Sequence, residues 1–238
     1  MINLPIIVYT HHKNFDILPL FLKRAEEFYP NQKIIILSDE EFKSNYKNVI
    51  YKDSEPHYLH WKDALNFVDD YFIYCQEDFL LYSQVDMVEV ERCLNSVKNN
   101  NLSYLRLIKS GIFDSKARKE FDKNVFEISS DEIGANFAMQ ATVWNKNDFY
   151  RVYEDSKINR IFNEDIVRKS VFKLGLKGAY HYNNESKRGL YHYDSKIFPY
   201  IATALVKGKW NIKEYNKELN ILKDEFNLDF NQRGKYVG

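Results

Sequence analysis

Cysteine is almost missing from this chain. Two in 238 residues, Cys75 and Cys93, are too few for a disulfide framework or a four-thiolate zinc site. Their plain reading is two buried, reduced thiols in a cytoplasmic protein. Net charge is missing too, since 34 Lys+Arg offset 34 Asp+Glu. That argues against a nucleic-acid binder, which needs a basic surface, but leaves room for a local basic funnel around a phosphate. No apolar run approaches the ~18 residues needed to cross a bilayer. Met1 to Val8 has no basic flank or small-residue cleavage site and so does not read as a secretory leader. Glycine is scarce, at 8, and Tyr9-Thr-His-His-Lys-Asn-Phe has none. This argues against the Gly-rich phosphate loop of a nucleotidyltransferase or P-loop enzyme. There is no Gly-X-Ser-X-Gly elbow for a serine hydrolase, and no His-X-His or paired-Asp spacing for a metal-dependent phosphohydrolase.

What is present is a foldable core. The apolar fraction of 45% excludes a disordered chain, and a chain this long hides about three quarters of its unfolded surface. The 18 Tyr and 17 Phe suit a sugar site, though the base composition of a genome accounts for them equally well. Short β-branched runs alternate with amphipathic ones. Strands are predicted at Leu4 to Tyr9, Lys33 to Leu37, Asn48 to Tyr51, Tyr71 to Cys75 and Ser103 to Ile108. Helices are predicted at Asp16 to Tyr29, Trp61 to Val68 and Gln84 to Asn95. Ile112 to Ser130 reads as a charged, irregular excursion and Ile133 to Trp144 as a strand. Asn147 to Tyr153 and Phe162 to Leu174 follow as helices, and Lys177 to Tyr182 as a last strand. Tyr191 to Trp210 is a tail without clear period, and Glu214 to Asn227 a terminal helix. With no repeat and no linker, residues 1–238 are expected to form one domain. Its first half is 1–110, its second half 131–211, and its C-terminal helix lies in 212–238.

Alternation of strand and helix implies an α/β fold, a mostly parallel sheet with helices on both faces. Ligands of such sheets sit at the carboxyl ends of the strands. Those ends are unusually polar here: Thr10-His11-His12, Ser38-Asp39, Gln76-Glu77-Asp78 and Lys109-Ser110. Glu77 and Asp78 sit inside an apolar run, Tyr71 to Leu81, where a carboxylate must be paired, hydrated or bound to a cation. Hard oxygen ligands suit Mg²⁺ or Mn²⁺; a solvated acidic turn is the plain alternative.

Gln76-Glu77-Asp78 after a strand resembles the Asp-X-Asp metal motif of GT-A-fold glycosyltransferases, which use nucleotide-sugar donors. Met139-Gln140-Ala-Thr-Val-Trp144 is similar to the Q-x-x-x-W acceptor-side strand of bacterial and viral polysaccharide transferases. Asn163-Glu164-Asp165 has the form of their X-Glu-Asp base motif. Gly189-Leu-Tyr-His-Tyr-Asp-Ser with Phe198 to Trp210 resembles the tail of the small rhamnosyltransferase-type domain of large chlorella viruses. The likeness runs over residues 4–211 and departs from the pattern at Gln76, where the motif has its first Asp.

The resemblance implies a GT-A (Rossmann-like) mixed sheet and an inverting transfer of a sugar from a nucleotide-diphosphate donor, UDP-linked by preference, to a glycan hydroxyl. A divalent ion, Mn²⁺ or Mg²⁺, would neutralise the leaving diphosphate, held by Asp78 with His192 of the tail; His181 is the rival histidine. Asp165 is the expected base, with Glu164 as the alternative; capping of the helix they open explains both acids as well. Thr10, His11 and Asp39 would meet the nucleoside, and Trp61, Lys62, Glu77, Arg106, Lys207 and Lys209 the rest of the donor. Arg106, inside an apolar strand, is expected to pair with a core carboxylate or the donor sugar. Other transferases of the same pathway are the protein partners this implies. A non-catalytic nucleotide-sugar or glycan-binding domain and a nucleotidyltransferase are the competing readings.

Overall fold

The structure is a computed structural model that describes residues 4–112, 117–158 and 162–238. The first strand, β1 (Ile6–Tyr9), leads through α1 (Leu18–Phe28) to β2 (Ile34–Ser38) and β3 (Lys47–Ile50). Then come α2 (His57–Ala64), β4 (Tyr71–Gln76), the short β5 (Leu80–Leu81), α3 (Met87–Asn99) and β6 (Tyr104–Arg106). A hairpin of β7 (Glu120–Asp122) and β8 (Val125–Ile128) precedes β9 (Thr142–Asn145), α4 (Lys146–Ser156), α5 (Glu164–Lys173) and β10 (Gly178–His181). The tail holds β11 (Lys187–Arg188), β12 (His192–Tyr193), β13 (Tyr200–Ile201), β14 (Leu205–Val206), β15 (Lys209–Trp210) and α6 (Ile212–Phe226).

Nine strands form one sheet in the order β3-β2-β1-β4-β9-β6-β10-β8-β7. It is parallel from β3 to β4; β9 then runs antiparallel between β4 and β6, and β6 and β10 are parallel again. This is a mixed α/β sheet with a parallel first half, as the alternation of strand and helix implies. Side-chain alternation puts helices on both faces. Phe72 and Tyr74 of β4 meet Phe149 of α4, and Tyr74 meets Trp61 of α2. Cys75 points the other way, toward Tyr29 at the end of α1. Both faces being covered explains why β1, β2 and β4 read as continuous apolar runs. Both cysteines are free and buried, and among the described residues no helix is long and apolar enough to cross a membrane.

Four stretches differ from the sequence expectation. The helix expected from Trp61 begins at His57, directly after Pro56, and closes as a 3-10 turn over Leu65–Phe67. Its buried face is made of His57, His60, Trp61 and Ala64; the two histidines count as polar in a hydropathy pattern, so the apolar period is masked. Of the excursion expected from Ile112 to Ser130, residues 113–116 lie outside the described residues, and the rest forms the β7–β8 hairpin at the sheet edge. The strand expected from Ile133 is confined to Thr142–Asn145. Before it, side chains take the backbone carbonyls that a ladder would need: Arg106 bonds Ala135, Tyr104 bonds Asn136 and Arg168 bonds Phe137. The tail is a series of two-residue strand pairs, with β13 returning to pair with β5 beside the acidic turn.

Candidate functional site

Two adjoining cavities open where the parallel strands end. The smaller, about 440 Å³, is lined by aromatic and imidazole rings, among them Tyr9, Tyr51, His57, His60, Tyr74 and Tyr153. The larger, about 950 Å³, contains Asp78, Gln140, Glu164, Arg168, Arg188 and His192. Gln76 and Met139 belong to both walls, so the cavities meet at the last residue of β4.

The smaller cavity is a box of stacked rings. Tyr51 lies on His60 with centroids 4.1 Å apart, Tyr9 on Tyr51 at 5.3 Å, and His57 on Tyr153 at 5.6 Å. Burial pulls the His57 imidazole down to about 3 and lowers that of His60, so both rings are neutral near pH 7. Tyr51 gives its proton to the Thr10 carbonyl, and Tyr9 is bonded to His60 Nδ1. A space with flat apolar walls, neutral polar edges and no buried charge suits an uncharged aromatic ring.

Thr10 is buried below this box. At its mouth, His11, His12 and Asp39 bring three potential ligand atoms within 4.8 Å of one another. Asp39 accepts the His12 backbone N–H at 2.7 Å and also meets His12 Nδ1. His11 Nε2 lies 3.3 Å from both Asp39 and Asp53. The Asp39 hydrogen bond raises the His12 pKa; burial pushes the Asp39 carboxyl up, but the His12 bonds outweigh it and hold it low. His11 Nδ1 accepts the Lys13 backbone N–H at 3.2 Å, which leaves the ring proton on Nε2, facing the two carboxylates. The three side chains are thus held together by hydrogen bonds among themselves, with a donor set that could also meet a cation.

The acidic turn is different. Asp78 Oδ2 accepts the Leu205 N–H at 3.2 Å, and Glu77 accepts the Asn14 side-chain N–H at 2.7 Å. Both are buried, and neither forms an ion pair with a lysine or arginine among the described residues. Burial raises both pKa values, and the neighbouring Asp78 raises that of Glu77 further. Two adjacent buried carboxyls short of positive charge are a donor set that fits a hard divalent cation, with Asp78, on the cavity wall, as the ligand. His192 lines the same cavity, with Nε2 bonded to Tyr215 Oη at 2.5 Å and 4.0 Å from Glu214. His181 is buried in β10 and lines neither cavity. Gly189, at φ +60°, turns the β11–β12 hairpin against Glu214, where any Cβ would collide with the carboxylate.

At the start of α5, Asn163 caps the helix. Glu164 accepts the Met139 N–H at 2.9 Å with one oxygen and Arg168 at 2.9 Å with the other. Asp165 is bonded to the same guanidinium at 2.9 Å. The two acids differ in placement: Glu164 is 35% exposed and lines the large cavity, whereas Asp165 is 75% exposed and lines neither.

The other expected donor residues are scattered. Trp61 is wholly buried among rings of β1, β4 and α4. Lys62 lies in a separate groove with Lys146 and Arg151. Arg106 is buried and gives its N–H groups to the carbonyls of Ser110 and Ala135, so it pairs with backbone where a carboxylate or sugar was expected. Lys207 and Lys209 are exposed on the β14–β15 hairpin, beside cavity residues Leu205 and Val206. Sequence reasoning passed over Arg168, Arg188, Glu214 and the ring box. The spacing of His57, His60 and Trp61 on one helical face was the available signal for the box; nothing local marked the tail residues.

No protein-family model and no curated protein matches this sequence. Among solved structures it is similar to S. aureus TarS in complex with UDP, at 10% identity over 98% of this chain and 68% of that one, TM-score 0.49. It is similar to a cytidylyltransferase from Leptospira borgpetersenii serovar Hardjo-bovis, at 13% identity over 99% and 100%, TM-score 0.48. It is also similar to the galactosyltransferase LgtC in complex with donor and acceptor sugar analogs, at 12% identity over 74% and 73%, TM-score 0.41. A galactosyltransferase and a cytidylyltransferase thus both stand among the structures it resembles, and the chemistry of this chain has to be argued from its own side chains.

Proposed function

We propose that this chain is a glycosyltransferase that moves a sugar from a nucleoside-diphosphate donor, UDP-linked by preference, to a glycan hydroxyl with inversion. The observation that supports it is the joined pair of cavities: a neutral ring box opening into a polar chamber with a buried, unpaired carboxylate beside the joint. The box would hold the nucleoside between its rings, with Thr10, His11 and Asp39 at its edge. Gln76 would then stand beside the diphosphate, and the sugar would enter the large chamber. Asp78 would hold Mn²⁺ or Mg²⁺, which when bound neutralises the leaving diphosphate. Lys213 lines the same chamber and adds positive charge to it, while Arg188, also in its wall, is held by Asp194 and Glu218. Glu164, the acid that faces the chamber, would take the acceptor proton, with Arg168 and the Met139 N–H fixing its orientation.

Incubation with UDP-, GDP- and dTDP-sugars in Mn²⁺ tests this. Slow release of the nucleoside diphosphate from one donor, abolished by Asp78→Asn, is the expected result. Binding without turnover would instead mark a nucleotide-sugar-binding domain. Consumption of a nucleoside triphosphate with release of pyrophosphate would mark a nucleotidyltransferase.

A further inference from the structure

Gln140 is 9% exposed, lines the large cavity, and sits just before β9. Its Oε1 accepts the Tyr200 hydroxyl proton at 2.6 Å. Tyr200 Oη in turn accepts the Ala141 backbone N–H at 3.1 Å, so the hydroxyl has only its own proton left to give. That fixes which end of the amide meets it: the oxygen faces Tyr200 and the NH₂ group faces away. The NH₂ group has no partner among the described residues, and it is not among the buried atoms lacking one, so it opens on the cavity. A side chain more than nine-tenths buried thus presents two oriented, unused donors to an otherwise solvent-filled space.

Its position restricts what those donors can meet. β4 and β9 pair with Tyr74 opposite Thr142, and continuing that register places Gln140 opposite Gln76, two residues before Asp78. Any group bonded to Gln140 therefore lies close to the carboxylate that would carry the ion and diphosphate. On the glycosyltransferase reading, on which this rests, the group directly attached to the diphosphate is the donor sugar. We propose that Gln140, held by Tyr200, reads a hydroxyl of the donor sugar. Gln140 is then a specificity residue and Tyr200 a positioning residue acting through it. A neutral amide donor matches a hydroxyl oxygen and gains nothing from a bare apolar edge, so a deoxy position at that site would bind less well.

The test compares each nucleoside diphosphate with its own nucleotide sugar by calorimetry in Mn²⁺. The pairs are UDP with UDP-glucose, UDP-galactose and UDP-N-acetylglucosamine, GDP with GDP-mannose, and dTDP with dTDP-rhamnose. The readout is the ratio of the two Kd values, which isolates the sugar. Gln140→Met, similar in length, uncharged and without an N–H to give, and Gln140→Ala should each shift that ratio against the sugar by roughly fivefold to tenfold, one hydrogen bond's worth. The Kd for the diphosphate alone should change less than about twofold. Tyr200→Phe should move the ratio in the same direction by less, because the amide is freed but kept. An unchanged ratio in variants with native thermal melts overturns the assignment of Gln140 and leaves the transferase reading standing. So does a loss shared equally by diphosphate and sugar. Failure of the wild-type chain to bind any of these nucleotides overturns both.

Discussion

Asn14 reaches across 63 residues of sequence to give its side-chain N–H to Glu77 at 2.7 Å, while its oxygen accepts Arg233 at 3.2 Å. Arg233 also bonds Asp16 and the Lys13 carbonyl. The loop after β1, the acidic turn after β4 and the C-terminal segment are thereby tied at one point beside the site. Asn14→Ala leaves a buried carboxyl short of a donor and should destabilise the fold by about 1–3 kcal/mol in urea unfolding. Arg233→Ala should cost less, because its partner Asp16 is half exposed. Equal and negligible losses would mean that the tie is not formed in solution.

Asp78→Asn keeps an oxygen for the Leu205 N–H and removes a buried charge. The variant should be at least as stable as the wild type to urea. It should lose the Mn²⁺-dependent part of nucleotide-diphosphate binding, measured by titrating the ligand with and without the ion. Intact ion dependence would place the cation elsewhere.

The two acids opening α5 should separate in turnover. Glu164→Gln should lower kcat by roughly 10²–10⁴-fold, the range for loss of a positioned general base. Asp165→Asn, on the exposed side of the helix, should lower it by less than about tenfold. The reverse order would return the role to Asp165.

Acid stability carries a signature of the ring box. His57 titrates near 3 in the fold against an ordinary 6.5, because burial disfavours the imidazolium. The unfolded chain therefore binds a proton that the folded chain refuses, so this contribution is fully present above about 6.5 and is lost as the pH falls toward 3. His12 has the opposite sign: its raised pKa favours the fold at low pH and the benefit fades as pH rises through the raised value. Urea midpoints between pH 4 and 7 should fall more steeply for the wild type than for His57→Phe. Parallel curves would mean that His57 is hydrated and not enclosed.

The parallel half of the sheet was legible because β1, β2 and β4 are covered on both faces and so carry unbroken apolar runs, aliphatic in β1 and β2 and largely aromatic in β4. The acidic turn was legible because Glu77 and Asp78 interrupt such a run. The ring box was not, because tyrosine and histidine score as neutral or polar even when stacked at 4–6 Å and their burial depends on partners far along the chain. The difference between Glu164 and Asp165 was equally hidden. They are adjacent in sequence, and only the packing of α5 on the Met139 segment decides which one turns inward. Arg106 shows the same limit. A charged residue in an apolar strand signals burial, but its partners are carbonyls of a loop that local pattern reads as strand.

The central claim is that a nucleoside diphosphate spans the two cavities with a divalent ion at Asp78. Calorimetric titration of UDP, GDP and dTDP into the wild-type chain and into Asp78→Asn, each with and without Mn²⁺, tests it most directly. The account predicts that one diphosphate binds the wild type, more tightly with the ion, and that the ion's contribution vanishes in Asp78→Asn. No binding by any of the three, or an ion effect untouched by the substitution, would contradict it.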